Sequence, residues 1–149
     1  MNMAANLLQK NIPKGWSSTT LDELLIEVGA RNKNNADLPV LSVTNSRGFI
    51  LQSEQFARKL HSKNTKNYKI VSKGEFGYNP ARINVGSIAV LDTPEKGLLS
   101  PMYVVFKTNN DLETDYLRQY IQTNDFNSKV KSNTAGSVRQ SLNFSAFKN

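Results

Sequence analysis

Short apolar runs separated by polar turns dominate the middle of the chain. Each run spans three to seven residues and is flanked by turn-forming residues, the pattern of β-strands joined by tight connections. The strands predicted in this way cover residues 40–44, 49–51, 68–71, 75–78, 85–91, 98–100 and 103–107. The turn at 45–48 predicts that the first two form a hairpin, and YVVFK at 103–107 is the clearest buried strand.

The region before these strands carries a helix signal. After a short predicted strand at 16–19, Thr20 and Glu23 have the spacing of a capping box. The apolar residues that follow lie on one helical face, and Gly29 is suited to end the helix. These apolar residues are Leu21, Leu24, Leu25 and Val28.

Helical spacing returns after the last predicted strand. From Thr114 onward, apolar and aromatic residues recur every three or four positions, which predicts a helix. Shorter helices are predicted over 125–131, with Phe126 and Val130 inward, and over 53–60. A loop at 132–137 then leads into a final apolar cluster.

Strands followed by helices predict an α+β fold. We expect a single domain with a twisted, mostly antiparallel sheet of short strands and a few flanking helices. The 149 residues are enough for one hydrophobic core. Residues 1–12 are interpreted as an N-terminal lead-in, and residues 13–149 as the domain.

The charge balance is basic and favours a polyanionic partner. Nineteen Lys and Arg against 12 Asp and Glu give a net charge of +7. The stretch 58–74 holds six cations and no acid. The chain has no cysteine, no apolar run of membrane-spanning length and no signal-peptide pattern at its start, so we expect a soluble, cytoplasmic protein.

Catalytic motifs are missing from the sequence. His61 is the one histidine, and no nucleophile elbow, zinc-binding helix, phosphate loop or dinucleotide loop occurs. Tyr78-Asn79-Pro80 resembles the Asn-Pro-Pro-aromatic motif of DNA adenine methyltransferases, but Ala81 and Arg82 replace its second proline and its aromatic. We therefore predict a non-enzyme without cofactor or metal.

Several polar residues suit DNA chemistry. Lys and Arg neutralise phosphates, Arg can grip guanine bidentately, and Asn and Gln suit adenine. The basic residues of 58–69 are predicted to hold phosphates, and four other residues to lie near base edges. The DNA-binding candidates are Arg47, Arg58, Lys59, Lys63, Lys66, Lys69, Asn79, Arg82, Arg139 and Gln140. For each of them, the alternative is an ordinary polar or charged side chain in a solvated loop, without a role in binding.

Five ordered segments resemble the target recognition domain of a type I restriction-modification specificity subunit, the HsdS family. They are LPVLSVT (38–44), NYKIV (67–71), GYNPARINVGSI (77–88), LSPMYVVF (99–106) and GSVRQSL (136–142). The segment 77–88 is the most specific of them. The resemblance covers about residues 13–149, and the opening PKGW (13–16) fits it as well.

The resemblance implies a role in reading DNA. A specificity subunit has two recognition domains, each reading one half of a split target, joined by helices that bind the modification subunits. Those partners carry the S-adenosylmethionine chemistry, and restriction subunits carry cleavage. It also implies that the segment 78–82 belongs to the scaffold or a DNA-facing loop, with Tyr78 and Pro80 structural.

The sequence departs from the family by lacking room for the spacer helix and the second recognition domain. We therefore interpret it as one recognition domain. The alternatives are a protein-protein interaction module, a truncated half-subunit without independent DNA binding, and an RNA binder. The aromatics count against RNA, because most of them lie in apolar runs rather than exposed where bases could stack.

Overall fold

The computed structural model describes residues 11–52, 64–134 and 141–149. Within these ranges the helices are α1 (Leu21–Leu24), α2 (Thr114–Tyr120), α3 (Asn124–Thr134) and α4 (Phe144–Lys148), with a 3₁₀ turn at Ile83–Val85. The strands are β1 (Leu25–Glu27), β2 (Leu41–Thr44), β3 (Gly48–Leu51), β4 (Lys69–Ser72), β5 (Phe76–Tyr78), β6 (Ile88–Val90), β7 (Lys96–Leu99) and β8 (Val104–Thr108).

A four-stranded antiparallel sheet in the order β1-β8-β5-β6 forms the centre of the fold. Strand β8 pairs with β1 on one side and with β5 on the other, so Phe106 lies opposite both Glu27 and Phe76. The Phe76 and Phe106 rings are stacked with centroids 5.1 Å apart. One face of this sheet is therefore an aromatic core.

The helices cover that aromatic face. Phe126 and Val130 of α3 and Phe144 and Phe147 of α4 are buried in the same cluster as Phe106. Helix α3 begins where the Thr123 hydroxyl accepts a hydrogen bond from the Phe126 amide (3.1 Å). Capping and inward apolar residues together fix the position of α3 against the sheet.

Two further antiparallel strand pairs, β2-β3 and β4-β7, build a second core. Strand β2 lies close to the glycine of β7, because a Cβ added at Gly97 would stand 2.4 Å from Leu41 Cδ1. Leu41, Val43, Val71 and Leu99 are buried there. The buried residues of β2 thus hold the β2-β3 hairpin against this second core.

The α+β fold predicted from the sequence is confirmed, with short antiparallel strands and flanking helices. The strands form one four-stranded sheet and two separate pairs rather than a single sheet. The hairpin at 40–51 and the strand at 103–107 are confirmed, and so are the helices from Thr114 and over 125–131.

Four local predictions are wrong. Residues 16–19 form no strand, and the helix after Thr20 ends at Leu24, because Leu25–Glu27 pairs with β8. The predicted strand 85–91 begins only at Ile88, and α3 extends to Thr134 into the predicted loop 132–137. The predicted helix at 53–60 lies outside the described residues. Across the described ranges, no helix combines the length and apolar character needed to cross a membrane.

Candidate nucleic-acid interface

Residues 45–47, at the tip of the β2-β3 hairpin, form what we call the tip turn. One polar groove at this turn, of about 670 Å³, extends to Asp92 and Arg118. Two further polar grooves meet at the same turn. The first, the arginine groove, has a volume of about 500 Å³. The second, the amide groove, has a volume of about 860 Å³. Asn45 lines both grooves, and none of the described residues lining either one is an Asp or Glu.

The arginine groove brings together residues from distant parts of the sequence. Arg47 comes from the tip turn, Asn79 and Arg82 come from the turn after β5, and Met102 and Tyr103 come from the connection before β8. Arg47 and Arg82 are both exposed. Within the described ranges, neither guanidinium lies within ion-pairing distance of a carboxylate.

The tip turn is held by its own side chains. The Thr44 hydroxyl donates to the Gly48 carbonyl (2.9 Å) and accepts from the Arg47 amide (2.9 Å). Gly48 has a positive φ of 63°, and a Cβ there would approach Ala89 Cβ to 3.3 Å. Asn45, Ser46 and Arg47 all remain exposed on this fixed backbone.

The turn after β5 depends on the Asn79 side chain. Its Oδ1 accepts from the Ala81 amide (3.0 Å), while its backbone amide donates to the Ser87 carbonyl (3.1 Å). Asn79 is only 6% exposed, so its side chain shapes the turn that carries the exposed Arg82. Its predicted place near base edges stays a prediction.

The two turns are joined into one unit. The buried Ser87 hydroxyl donates to the Val43 carbonyl (2.7 Å), linking the second turn to strand β2. Gly86, with φ +98°, lies beside Asn45, whose carbonyl oxygen would be 3.6 Å from an added Cβ. The positions of Arg47 and Arg82 are therefore set by a shared backbone framework.

Helix α3 supplies one wall of the amide groove. Asn124, Asn127, Ser128 and Lys131 line this groove and are all exposed. They are spaced i, i+3, i+4 and i+7, so they share one helical face. The opposite face is buried through Phe126 and Val130. Asn84 and Gly86 form the facing wall.

A second basic region, formed by Arg31, Lys66 and Lys69, lies beside Tyr103. The Lys69 ammonium group donates to the Tyr103 carbonyl, and Arg31 Nη1 donates to the Asn67 carbonyl (2.7 Å). Burial, followed by the nearby Arg31 charge, lowers the pKa of Lys69, while Glu27 opposes the shift. Lys66 is exposed in the same turn as Asn67.

A buried asparagine holds this basic region together. Asn32 is 2% exposed, and its Nδ2 donates to the Ala36 carbonyl (3.0 Å) and to the Thr65 hydroxyl (3.0 Å). Asn35 Oδ1 accepts from the Thr65 amide (3.0 Å). The loop after β1 is thereby tied to the segment that carries Lys66.

Ion pairs in the described part of the chain involve cations other than those that line the arginine and amide grooves. They involve Lys73, Arg118, Lys129 and Lys148. The best formed joins Arg118 to both oxygens of Asp92, at 2.8 and 2.9 Å. The acids near the helices are thus partly neutralised locally, while Arg47, Arg82 and Lys131 face their grooves without a paired carboxylate.

The structure brings together three of the four residues predicted near base edges. Arg47, Asn79 and Arg82 line one groove, although up to 35 positions separate them in sequence. Lys66 and Lys69 lie on the basic region beside Tyr103. Arg58, Lys59, Lys63, Arg139 and Gln140, together with His61, lie outside the described residues.

The sequence reasoning missed the amide groove. Asn45, Asn127, Ser128 and Lys131 were not candidates, because each is a common surface residue when taken alone. The available signal was the polar face of the helix predicted at 125–131, whose i, i+3, i+4 spacing lacks an acid. The sequence does not show that this face of α3 lies beside the tip turn, and only that position makes it part of a groove.

Comparison with known proteins gives structural relatives among the solved structures. No family model and no curated protein matches the chain. A chain in a solved structure described as "Structural basis underlying complex assembly and conformational transition of the type I R-M system" matches with a TM-score of 0.66. The match has 15% sequence identity and covers 93% of this chain.

This match concerns the fold. The present chain spans 37% of the length of the matched chain. At 15% identity the match shows a shared fold and carries no residue roles with it. The resemblance found in the sequence is thereby confirmed at the level of the fold.

Proposed function

We propose that this chain is a DNA target recognition domain that reads one half of a bipartite duplex target for a type I restriction-modification complex. The carrying observation is that the arginine and amide grooves, which have no lining carboxylates, adjoin one exposed turn held by its own hydrogen bonds. A shared fold with a type I R-M system chain and a net charge of +7 support the same role.

The chemistry of the grooves suits a DNA duplex. Guanidinium and ammonium groups neutralise phosphates, and amide side chains hydrogen-bond base edges. Arg47 and Arg82 supply the first kind of group, and Asn45 and Asn127 the second. Asn79 has a positioning role in this proposal, because its side chain forms the turn before Arg82.

The positions of the exposed aromatics favour a duplex over single-stranded RNA, because these side chains lie outside the two grooves. Single-strand readers stack unpaired bases on aromatic rings. Among the described residues, the strongly exposed aromatics are Trp16 and Tyr116, and neither lines the two grooves. Tyr103 does line the arginine groove, but it is only 9% exposed.

Within this proposal the chain is non-catalytic. Modification and restriction subunits are its proposed partners and carry methyl transfer and cleavage. The support is the relative, whose description concerns "complex assembly" in a type I R-M system. A lone domain should bind its half-site weakly, because two linked domains gain from effective concentration.

The proposal is tested by selecting bound sequences from a randomised duplex DNA pool at low salt. We expect enrichment of one short motif of a few base pairs. A matched pool of single-stranded RNA serves as competitor and should displace duplex poorly. Binding without enrichment would reduce the chain to a nonspecific basic protein. No binding at low salt would favour a protein-protein interaction module.

A further inference from the structure

Resting on the proposed function, we infer that the tip turn is the specificity-determining element, with Arg47 reading guanine and Asn45 reading adenine through their major-groove edges. Neither a sequence motif nor the structural relative assigns base contacts to this turn. The argument rests on shape, rigidity and side-chain chemistry.

The shape of the β2-β3 hairpin fits a major groove. That groove admits a two-stranded β-ribbon. Strands β2 and β3 form such a ribbon as a separate two-stranded sheet, with Thr44 opposite Gly48 at its end. The ribbon's body is buried at Leu41, Val43 and Ile50, and its tip is exposed. The tip is therefore the polar, exposed end of the ribbon that a base edge can reach.

The tip is also preorganised. The Thr44 hydroxyl donates to the Gly48 carbonyl and accepts from the Arg47 amide. The Ser87 hydroxyl donates to the Val43 carbonyl in the adjoining strand β2. A reading element held in this way loses little conformational entropy on binding. Its backbone stays fixed whichever side chains it carries, so base preference depends on the side chains.

The flanking grooves suit the two phosphate strands that border a major groove. The arginine groove holds Arg82, the amide groove holds Lys131 and Ser128, and both grooves adjoin the tip turn at Asn45. Cations and hydroxyls hold phosphates without reading sequence. Arg47 and Asn45 are exposed on the tip turn, and their planar groups match guanine O6 and N7 and adenine N6 and N7.

The test compares motifs selected by the wild type and by variants in the same duplex pool. Arg47→Lys keeps the charge but loses the rigid, planar guanidinium fork, and we expect it to lose about tenfold of the preference for one guanine. Asn45→Ala should relax one adenine position in the same way. Lys131→Ala should weaken binding to all sequences and leave the motif intact.

A matched chemical probe separates reading from folding. Replacing the assigned guanine by 7-deazaguanine removes N7, so wild-type affinity should fall several-fold while Arg47→Lys shows little further loss. Asn110→Ala, an exposed loop change, is the control variant. If the wild type selects a motif that both tip variants keep unchanged, the inference is overturned and the proposed function stands. If the wild type selects no motif, both fall.

Discussion

The residues of the segment 78–88 differ sharply in their surroundings. Tyr78 is fully buried among Phe106 and Phe147, while Asn79 closes a turn with its side chain. Gly86 adopts the left-handed conformation, and Ser87 bonds strand β2. Most of this segment is therefore scaffold, and Arg82 is its exposed cation.

Tyr78 carries a buried hydroxyl with no hydrogen-bond partner in the described part of the chain. Burial, together with the nearby Glu27 charge, raises the pKa of this hydroxyl. Because an unpaired buried hydroxyl destabilises the fold, Tyr78→Phe should raise the free energy of unfolding by about 1 kcal/mol. Urea denaturation measures this change.

The control for Tyr78→Phe is Tyr120→Phe. The Tyr120 hydroxyl donates to Asp125 (2.8 Å), so its removal should leave stability unchanged or slightly lower. A marked loss of stability in Tyr78→Phe would show that its hydroxyl does have a partner.

The protonation of Asp92 affects the free energy of unfolding. The hydrogen bonds from Arg118 hold the pKa of Asp92 below its ordinary value of 3.8. A depressed pKa means that the stabilisation is present above pH 4 and is lost as the pH falls through the folded-state pKa. Since the side chain is 64% exposed, we expect Asp92→Asn to cost at most about 1 kcal/mol at pH 7.

Unfolding of wild type and Asp92→Asn across pH 2 to pH 7 checks this link. The two curves should converge at the acidic end, where wild-type Asp92 is protonated. Curves that stay equally separated at every pH would remove the ion pair from the explanation.

At the residue scale, residue type indicates which side chains suit DNA but not which hydrogen bonds each already makes. Arg47 and Arg82 were predicted near bases, and both are exposed in one groove. Asn79 was given the same role because its residue type suits adenine. A pattern of residue types cannot report that Oδ1 already accepts from Ala81, since the turn geometry decides this.

Among the elements, α1 shows how strand pairing overrides a local helix signal in the sequence. Thr20 makes no side-chain cap, so the predicted capping box does not form, and the Glu23 carboxylate accepts from the Thr19 hydroxyl. From Leu25 onward the chain then gains backbone hydrogen bonds with β8. A four-residue helix is too weak to resist that gain, and the sequence alone cannot reveal the partner strand.

The connection at Gly86 is a second element-scale feature. With φ +98°, this position favours glycine, so Gly86→Ala should cost about 1–2 kcal/mol through backbone strain. Thermal unfolding measures the loss. Gly29→Ala is the matched control, because it has open space around an added Cβ and lacks a positive φ. An equal cost at both positions would contradict the strain argument.

For the molecule as a whole, charge is distributed unevenly. The described cations in the arginine and amide grooves and beside Tyr103 lack carboxylate partners, whereas those near α2 and α3 at Arg118 and Lys129 are paired. The fold class followed from the order of strands and helices. The grooves could not be predicted, because they form only where the hairpin, the turn after β5 and α3 meet.

Lys66 provides a whole-molecule prediction about phosphate contacts. If this exposed lysine neutralises one phosphate, Lys66→Ala should reduce the slope of log affinity against log salt by about 0.9. Binding titrations at four salt concentrations measure the slope. Lys14→Ala, at another exposed lysine, should leave it unchanged. An unchanged slope in Lys66→Ala would remove this residue from the interface.

The central claim is that the chain discriminates DNA sequences. The most direct measurement is the ratio of wild-type affinities for the selected duplex and for a scrambled duplex of the same composition, at two salt concentrations. Because phosphate contacts are common to both duplexes, we predict that both affinities fall with salt while the ratio stays well above one. A ratio of one at both salt concentrations would contradict sequence recognition by this domain.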